Sequence, residues 1–293
     1  MEGRFPDRVL PYVLVAPSII VVLLFLLIPS GEALWQSLSR VNPFTGQATF
    51  VGLHNFIVLL SSEEYRHSAG VSVVFTAATV ALSLSTALAM ALLANQRLRG
   101  IGLYRVALIW PYALSPAVAG TIWALLFEPS TGIVTFLLRA TVGVAPNWMM
   151  NGRLALLVVI VAAAWKLLGY NVVFFLAGLQ AVPEELSEAA AVDGAPPWRR
   201  FWAVTFPLLS PVTFFLLITN SLYAFFEVFG LIDVITQGGP ARATDVLVYK
   251  LYRDGFVSIN WGLASAQSVL LFVLVAALTI LQFRYAGRRV FYS

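Results

Sequence analysis

The sequence predicts an all-α membrane protein with six transmembrane helices. Of the 293 residues, 60% are hydrophobic and only 11% are charged, whereas a soluble domain carries about 25% charged residues. The charges stand in clusters between long apolar runs, and a helix needs about 20 apolar residues to cross the hydrocarbon core of a bilayer. Lipid is therefore the solvent for most of this surface.

Six segments of the chain are long and apolar enough to span a membrane. None of them shows the alternation with a period of two that a barrel strand requires. No linker, internal repeat or low-complexity tract divides the chain, which predicts one transmembrane domain over residues 1–293. The predicted spans cover about 10–28, 71–93, 104–127, 154–179, 208–232 and 263–284.

Basic residues are concentrated on one side of the predicted spans. Arg4 and Arg8 precede the first span, which is too long for a signal peptide and is expected to be retained. Arg199 and Arg200 lie between the fourth and fifth spans, and further arginines close the chain. Because cytoplasmic loops carry an excess of Lys and Arg, this bias predicts a multi-pass protein with both termini in the cytoplasm.

The residue set argues against an enzyme. There are no cysteines, and the two histidines, His54 and His67, fall in one predicted loop outside the membrane. The predicted spans contain no histidine and no carboxylates paired at short helical spacing, so neither a metal site nor a catalytic residue is predicted. The net charge of +4 reflects basic residues at cytoplasmic helix ends, and we expect no nucleic-acid binding.

The link between the fourth and fifth spans, residues 183–207, has the sequence of two helices joined by a tight turn. Pro183 suits the first turn of a helix, and the Glu- and Ala-rich run after it forms helix readily. Gly194 can take the left-handed conformation that ends a helix, and Pro197 can begin a second one. The residues alone allow either a docking site for another protein or an interfacial helix anchored by its aromatic side chains.

This link resembles the EAA motif of ABC importer permeases. The residues that carry the resemblance, in the motif's order and before the penultimate span, are Glu188, Ala189, Ala190, Asp193, Gly194, Ala195 and Pro207. Val204 and Phe206 stand where Ile and Leu are more usual. In that family the elbow is the coupling helix that sits in a groove of a separate ATPase subunit. The resemblance implies that Glu188 contacts the ATPase and that Gly194 shapes the elbow.

The chain has no phosphate-binding loop of its own. The Gly-x-x-x-x-Gly-Lys-Ser/Thr pattern is absent, since neither of the two lysines, Lys166 and Lys250, follows a glycine. We therefore expect no cofactor bound by this chain, with ATP and Mg²⁺ used by the partner ATPase.

The resemblance extends over nearly the whole chain and is strongest to the carbohydrate-type (MalF-like) permeases, which have the type I importer (MetI/MalF-like) fold. Four stretches resemble permease subunits for sn-glycerol-3-phosphate in particular. These are Pro29–Trp35, Pro111–Ala119, Tyr223–Phe229 and Tyr249–Phe256. The resemblance implies a bacterial inner-membrane importer for this compound and for related glycerophosphodiesters.

The same resemblance implies partners. They are a second, homologous permease subunit, two ATPase subunits, an extracytoplasmic substrate-binding protein and the lipid bilayer. A permease for a di- or oligosaccharide such as trehalose or maltose is the alternative within the family. A secondary transporter or a channel is the alternative class, and it would explain the spans but not the elbow motif.

Two ionisable residues lie inside predicted spans, where each costs about 2.5–3.5 kcal/mol on insertion scales. Lys166 is near the middle of the fourth span and Glu227 is deep in the fifth, each with polar neighbours at helical spacing. The set that we expect to line a substrate pathway is Lys166, Tyr170, Asn171, Asn220, Tyr223, Glu227 and Gln267. Alternatively, Lys166 and Glu227 pair with each other or with backbone carbonyls.

Three residues of the third span, Pro111, Pro116 and Gly120, can bend or break its helix. Proline removes a backbone donor and clashes with the preceding turn, and freed backbone groups are tolerated at membrane depth where protein or water satisfies them. The sequence therefore allows a bend in this span.

The links on the other side of the membrane contain structure signals of their own. A short helix is expected up to Val142, ending at Gly143, and Gly238-Gly239-Pro240 predicts a turn. Thr244 can cap a helix that runs to about Phe256. By resemblance this segment faces the binding protein through Asp245, Lys250 and Arg253; a solvated interfacial helix is the alternative.

Overall fold

The computed structural model describes residues 9–96, 101–144 and 146–286. Its described residues form two compact units, one within Met1–Ser62 and Leu251–Phe272, the other within Glu63–Lys250 and Val273–Ser293. The prediction of a single domain over residues 1–293 stays a prediction. Arg4 and Arg8, which support the predicted orientation, lie outside the described residues.

Helices dominate both units, as predicted. The helices are α1 Leu10–Val22, α2 Ile28–Ser37, α3 His54–Ser61, α4 Glu63–Ala94, α5 Ile101–Ala113, α6 Pro116–Leu126, α7 Ile133–Val142, α8 Gly152–Ala181, α9 Glu184–Val192, α10 Pro197–Arg200, α11 Phe206–Leu208, α12 Ser210–Leu222, α13 Phe229–Ile235, α14 Leu247–Tyr252 and α15 Trp261–Ala286. The strands are β1 Ser39–Val41 and β2 Ala48–Phe50. Turns of π-helix occupy Leu23–Leu27, Phe201–Thr205, Tyr223–Glu227 and Arg253–Val257.

Four helical stretches of the described chain can each cross a membrane by length and composition. They are Leu10–Ser37, Glu63–Ala94, Gly152–Ala181 and Trp261–Arg284. Two further stretches are helix pairs bent at a short break, by 109° between α5 and α6 and by 65° between Pro197–Leu208 and Ser210–Glu227. The described part therefore holds four spans, or six if each bent pair counts as one.

The break between α5 and α6 lies in the predicted third span, at the prolines that allow a bend or break there. A residue that precedes proline avoids the helical region, and Ser115, before Pro116, has the extended dihedrals φ −65° and ψ 153°. Its hydroxyl accepts a hydrogen bond from the N–H of Val118 at 3.3 Å and so caps α6. The allowed bend is thus a sharp break.

The first unit begins with a continuous helical stretch whose first part, α1, buries none of its side chains. After it, β1 and β2 form an antiparallel hairpin, with Ser39 opposite Phe50. The buried amide of Asn55 in α3 donates to the carbonyl oxygens of Ser37 at 2.9 Å and Ser39 at 3.0 Å. This side-chain bridge holds the hairpin against α3, a feature that the sequence analysis did not predict.

The second unit is built on the packing of α4 against α8. A buried apolar cluster contains small residues of α4, larger residues of α8, the residue before α12 and one from its middle: Ala87, Ala91, Val172, Phe175, Leu179, Leu209 and Leu216. Small residues let helix backbones approach closely in lipid. At Gly169 of α8, a Cβ atom would lie only 2.6 Å from the Cα atom of Ile109 in α5. Glycine is therefore required where α5 crosses α8.

The short helix α7 ends as predicted, with Gly143 in the left-handed region at φ +72°. The prediction that Thr244 caps the following helix is wrong. Its hydroxyl donates to the Thr236 hydroxyl at 2.7 Å and to the Gly239 carbonyl at 2.9 Å, so it stabilises the preceding turn. Helix α14 begins only at Leu247, whose N–H donates to the Ser72 hydroxyl of α4 at 2.7 Å.

Candidate functional site

A cavity of about 430 Å³ lies among three helical elements of the second unit. The end of α5, the middle of α8, and the end of α12 with its π-helical turn supply its walls. The lining residues are Tyr112, Lys166, Leu167, Tyr170, Thr219, Asn220, Leu222, Tyr223 and Glu227. Five of the seven residues predicted for the substrate pathway are among them. The cavity also brings Tyr112 together with residues that follow it in the chain by 54 positions or more.

Lys166 is held inside this wall by aromatic rings and a backbone carbonyl. Lys166 is 5% exposed, and its Nζ lies 5.4 Å from the ring centroid of Tyr112 and 5.6 Å from that of Tyr223, within the range of cation–π attraction. The ammonium donates to the Tyr112 carbonyl at 3.5 Å. That carbonyl is in the last turn of α5, where carbonyls lack helical partners.

Glu227 lies in the same wall without contacting Lys166. Of the described ion pairs within 4.0 Å, none joins Lys166 to Glu227. Of the two predicted alternatives, Lys166 therefore contacts a backbone carbonyl and does not form a direct ion pair with Glu227. The Glu227 side chain is exposed in the isolated chain.

Asn171 and Asn220 form a reciprocal pair between α8 and α12. Each amide donates to the other's oxygen, at 2.9 and 2.8 Å. Asn220 also donates to the Leu216 carbonyl at 2.7 Å and accepts from the Ser83 hydroxyl of α4 at 3.1 Å. Both asparagines are fully buried. Their hydrogen-bonding groups are thus engaged in joining three helices, and their place in the pathway is structural.

Aromatic side chains form the rest of the wall. The rings of Tyr112 and Tyr170 stack with centroids 5.0 Å apart. The sequence analysis missed Tyr112, Thr219 and two leucines of the cavity wall. For Tyr112 a signal existed, because it stands just before the proline break that turns its side of α5 toward α8.

Gln267 lies in the first unit, where its amide donates to a carboxylate oxygen of Asp254 at 2.7 Å. It is buried. Its predicted role in a substrate pathway stays a prediction.

The link between the fourth and fifth spans is the two-helix elbow that its residues predict. Helix α9 is followed by Asp193 and by Gly194, which has φ +82°, and Pro197 begins α10. The Ala195 N–H donates to the Ala190 carbonyl at 3.0 Å and closes the turn. The elbow geometry is therefore fixed by residues within it, with glycine at a position where other residues are strained.

The elbow presents an exposed surface in the isolated chain. Helix α9 buries none of its residues, Glu188 and Ala189 are exposed, and Val192 and Trp198 are 88% and 73% exposed. Pro207 is half-buried in α11. The rings of Trp198 and Trp202 pack edge to face, 5.4 Å apart. In the part of the chain that the structure describes, Val192 and Trp198 are thus apolar side chains that stay largely exposed on a folded elbow.

The segment expected to face a binding protein is folded back onto α4. Ser68 donates to a carboxylate oxygen of the buried Asp245 at 3.1 Å. Lys250, 4% exposed, lies 3.7 Å from Glu64, which also pairs with Arg242 at 2.6 Å. Asp245 and Lys250 are thus buried and engaged within the chain, and their expected contact with a binding protein stays a prediction. The contact predicted for Arg253, which is half-buried, stays a prediction.

Comparisons with known proteins agree with this geometry. The family described as "Binding-protein-dependent transport system inner membrane component" matches residues 102–292, a range that contains the cavity and the elbow. The chain is 50% identical over 289 residues to the "sn-glycerol-3-phosphate transport system permease protein UgpA" of Brucella abortus, covering 99% of this chain and 98% of the relative. The protein of the same name from Agrobacterium fabrum is 49% identical with the same coverage, and that from Yersinia pestis is 46% identical over 97% and 96%.

A solved structure shares the fold. It is that of a bacterial ABC transporter involved in the import of the acidic polysaccharide alginate, with a TM-score of 0.81. The match covers 95% of both chains at 20% identity. This likeness confirms the architecture of the predicted importer permease.

Proposed function

Because the chain belongs to the family of binding-protein-dependent transport system inner membrane components, we propose that it is one of two permease subunits of an ATP-driven importer for sn-glycerol-3-phosphate. The observation that carries the proposal is the identity of about half of all residues over nearly the full length of relatives named for that transport. The cavity supports it, because a buried cation beside polar and aromatic groups suits a small phosphorylated polyol. Related glycerophosphodiesters are further candidate substrates.

In this proposal the chain does not hydrolyse ATP. Two partner ATPase subunits bind ATP and Mg²⁺, and the elbow transmits their closure to the spans. Large exposed apolar patches on a folded surface indicate an interaction site, and the elbow exposes Val192 and Trp198 beside Glu188. The ATPase groove is the partner surface that we propose for it.

The cavity is the proposed passage through this half of the pore. Its volume of about 430 Å³ lies within the usual range for small-molecule sites, about 300–1,000 Å³. A binding protein delivers the substrate on the far side of the membrane from the elbow, and both termini lie in the cytoplasm. These assignments follow from the family and from the arginine bias of the links.

A di- or oligosaccharide is the second candidate substrate. The stacked rings of Tyr112 and Tyr170 favour it, because flat aromatic faces pack against the apolar faces of sugar rings. A sugar, however, would leave the Lys166 ammonium without an anion in direct contact, since no described ion pair includes it.

The decisive experiment measures ATP hydrolysis by the complete assembly in lipid, with its binding protein, on addition of sn-glycerol-3-phosphate, maltose or trehalose. We expect stimulation by the phosphate compound alone. Stimulation by a sugar alone would keep the importer and replace its substrate. If no compound stimulates hydrolysis in an intact assembly, the proposed substrate and coupling both fail.

A further inference from the structure

Two buried hydrogen-bond donors of the cavity lack good acceptors. The ammonium of Lys166 has three N–H donors, and its contact with the Tyr112 carbonyl, at 3.5 Å, is at the limit of hydrogen-bond length. The hydroxyl of Tyr223, which is 6% exposed, has no hydrogen-bond partner among the described residues. Buried polar groups in native proteins are nearly always paired, so these two indicate an acceptor that is not part of the chain.

The two donors belong to one place. Lys166 and Tyr223 both line the cavity, and the Lys166 Nζ lies 5.6 Å from the Tyr223 ring centroid. An anion between them would neutralise the buried cation and accept from both groups through charge-assisted hydrogen bonds, the stronger kind. A phosphate group carries several such acceptor oxygens.

We propose that Lys166 and Tyr223 form a subsite that binds the phosphate group of the substrate inside this subunit. The inference rests on the proposed function, since it assigns the phosphate of sn-glycerol-3-phosphate to named groups. It also locates recognition in the membrane part of the importer, in addition to any selection by the binding protein.

The neighbouring groups give the substrate a direction. The Glu227 carboxylate repels a phosphate, so the phosphate stays at the Lys166 end while substrate hydroxyls donate to Glu227. Asn220 cannot compete, because its amide is engaged with Asn171. The Thr219 hydroxyl already donates to the carbonyls of Phe215 and Leu216 and is left as an acceptor. The cavity thus has an anion-binding end and an end that accepts hydroxyl protons.

A structural role for Lys166 predicts different behaviour. If its charge served only to cap the last turn of α5 through the Tyr112 carbonyl, ligands would not change its environment, and the Tyr223 hydroxyl would be unimportant. A test must therefore read out ligand contact at Lys166 and the contribution of Tyr223 separately.

The first test uses the two lysines of the chain. The intact assembly in lipid nanodiscs, without binding protein, is treated with an amine-acylating reagent, and labelling is followed by peptide-resolved mass spectrometry. We expect sn-glycerol-3-phosphate and inorganic phosphate to slow labelling of Lys166, while glycerol does not. Lys250, buried and 3.7 Å from Glu64, is the internal control and keeps its rate. Equal Lys166 labelling with and without phosphate overturns the subsite.

The second test measures uptake at saturating loaded binding protein. Lys166→Met and Tyr223→Phe should each lower uptake about ten- to 150-fold, the range for one lost hydrogen bond to a charged group. Lys166→Arg, which keeps the charge, should retain part of the activity. Tyr65→Phe, at an equally buried tyrosine with 6% exposure, is the matched control and should transport normally.

The outcomes separate the two proposals. If the wild-type assembly responds to sn-glycerol-3-phosphate but Lys166→Met and Tyr223→Phe transport it normally, the subsite is wrong and the proposed function stands. If the wild type responds only to a sugar, the proposed function is wrong, and protection of Lys166 by inorganic phosphate then decides alone whether an anion subsite exists.

Discussion

The elbow and the cavity are built in opposite ways. The elbow, residues 183–207, takes its shape from neighbours in sequence: a helix, a glycine at φ +82° and a proline that begins the next helix. The cavity joins α5, α8 and α12, whose contributing residues range from Tyr112 to Glu227. The comparison teaches that a helix–turn–helix elbow can be encoded locally, whereas a polar cavity depends on close packing between helices that are distant in sequence.

The difference also concerns where glycine is needed. In the elbow, nothing lies within 4 Å of a Cβ atom built on Gly194, so only its backbone conformation requires glycine. At Gly169 the backbone has the ordinary helical conformation, but there is no space for a Cβ atom. Each region can therefore be disturbed by one added methyl group, for a different physical reason.

The largest expected effect is that of Gly169→Ala. The new Cβ would meet the backbone of Leu108 and Ile109, and overpacking of this kind costs about 1–3 kcal/mol or more. We expect α5 to move away from α8, with a large loss of thermal stability of the assembly in lipid and of uptake. The elbow sequence is unaffected, so this variant breaks the cavity alone.

Gly70→Ala in α4 is the matched control, because nothing lies within 4 Å of its Cβ position. It should leave stability and uptake nearly unchanged. Equal effects of the two substitutions would show that close approach at Gly169 is not what holds the cavity.

The next effect concerns the asparagine pair that fixes α8 to α12. Asn171→Leu leaves the amide of Asn220 partly unpaired in a buried place, which costs about 1–3 kcal/mol, and Asn220→Leu does the same to Asn171. The double variant should lose less than the sum of the two, with a coupling energy near 0.6 kcal/mol, roughly the average for hydrogen bonds between membrane helices.

Thermal unfolding of the assembly in lipid, read as a double-mutant cycle, measures this coupling. Additive losses would mean that the two amides act independently. In that case α4, through Ser83, holds Asn220 without help from α8.

Gly194→Ala is expected to cost less stability than the substitutions above and to reduce transport strongly. A left-handed conformation costs a residue other than glycine about 1–2 kcal/mol, and here that strain falls on the elbow. We expect uptake and substrate-stimulated ATP hydrolysis to fall together, while the spans keep their stability, because the proposed coupling surface is distorted.

Gly143→Ala provides equal strain elsewhere. Gly143 ends α7 at φ +72° and also has open space around its Cβ position. If Gly143→Ala reduces stimulated hydrolysis as much as Gly194→Ala, the loss reflects general strain and the elbow has no special part in coupling.

The smallest effect concerns a second locally encoded turn, residues 128–131. One carboxylate oxygen of Glu128 accepts from the N–H groups of Ser130 and Thr131 at 2.7 and 2.6 Å and from both hydroxyls. These bonds lower the pKa of Glu128 from 4.5 to about 2. A lowered pKa means that this contribution to stability is complete above about pH 4.5 and is lost as the pH falls toward 2.

Hydrogen exchange of the segment around Ser130 and Thr131, followed from pH 5 to pH 2 after correction for intrinsic rates, checks this. We expect protection to decrease across that interval in the wild type and to be low throughout in Glu128→Gln. A wild-type protection that does not change with pH would contradict the role of the carboxylate.

Several features of the fold could be predicted from sequence because single residues or short patterns set them. Gly143 ends α7, Pro116 ends the helical path after α5, and the elbow follows from Pro183, Gly194 and Pro197. The angle of the bend between α5 and α6 could not be predicted from the sequence. Proline excludes one conformation of the residue before it, but it does not set the direction of the next helix. Thr244 was predicted wrongly as a cap, because a hydroxyl near a helix start can equally bond to the turn before it.

For the candidate site, the residue types were predictable and their functions were not. Lys166, Tyr223 and Glu227 attract notice as polar groups in apolar runs, where each is expensive unless used. Whether Lys166 meets Glu227, a carbonyl or an aromatic ring depends on distances between α5, α8 and α12. The same holds for Asp245 and Lys250, because no local sequence pattern indicates that they are buried against α4.

The sequence by itself determined that lipid surrounds most of the protein, that the fold is helical, that residues 183–207 form an elbow, and to which family the chain belongs. These features depend on composition or on proline, glycine and a contiguous motif, which act over one or two turns. Only the tertiary structure decided that α5 breaks by 109° toward α6, that two asparagines bond to each other, and that Lys166 and Tyr223 share a cavity. The two asparagines are 49 positions apart in the chain, and Lys166 and Tyr223 are further apart still. Their geometry is set by how closely helix backbones approach, which depends on the packing of all the side chains between them.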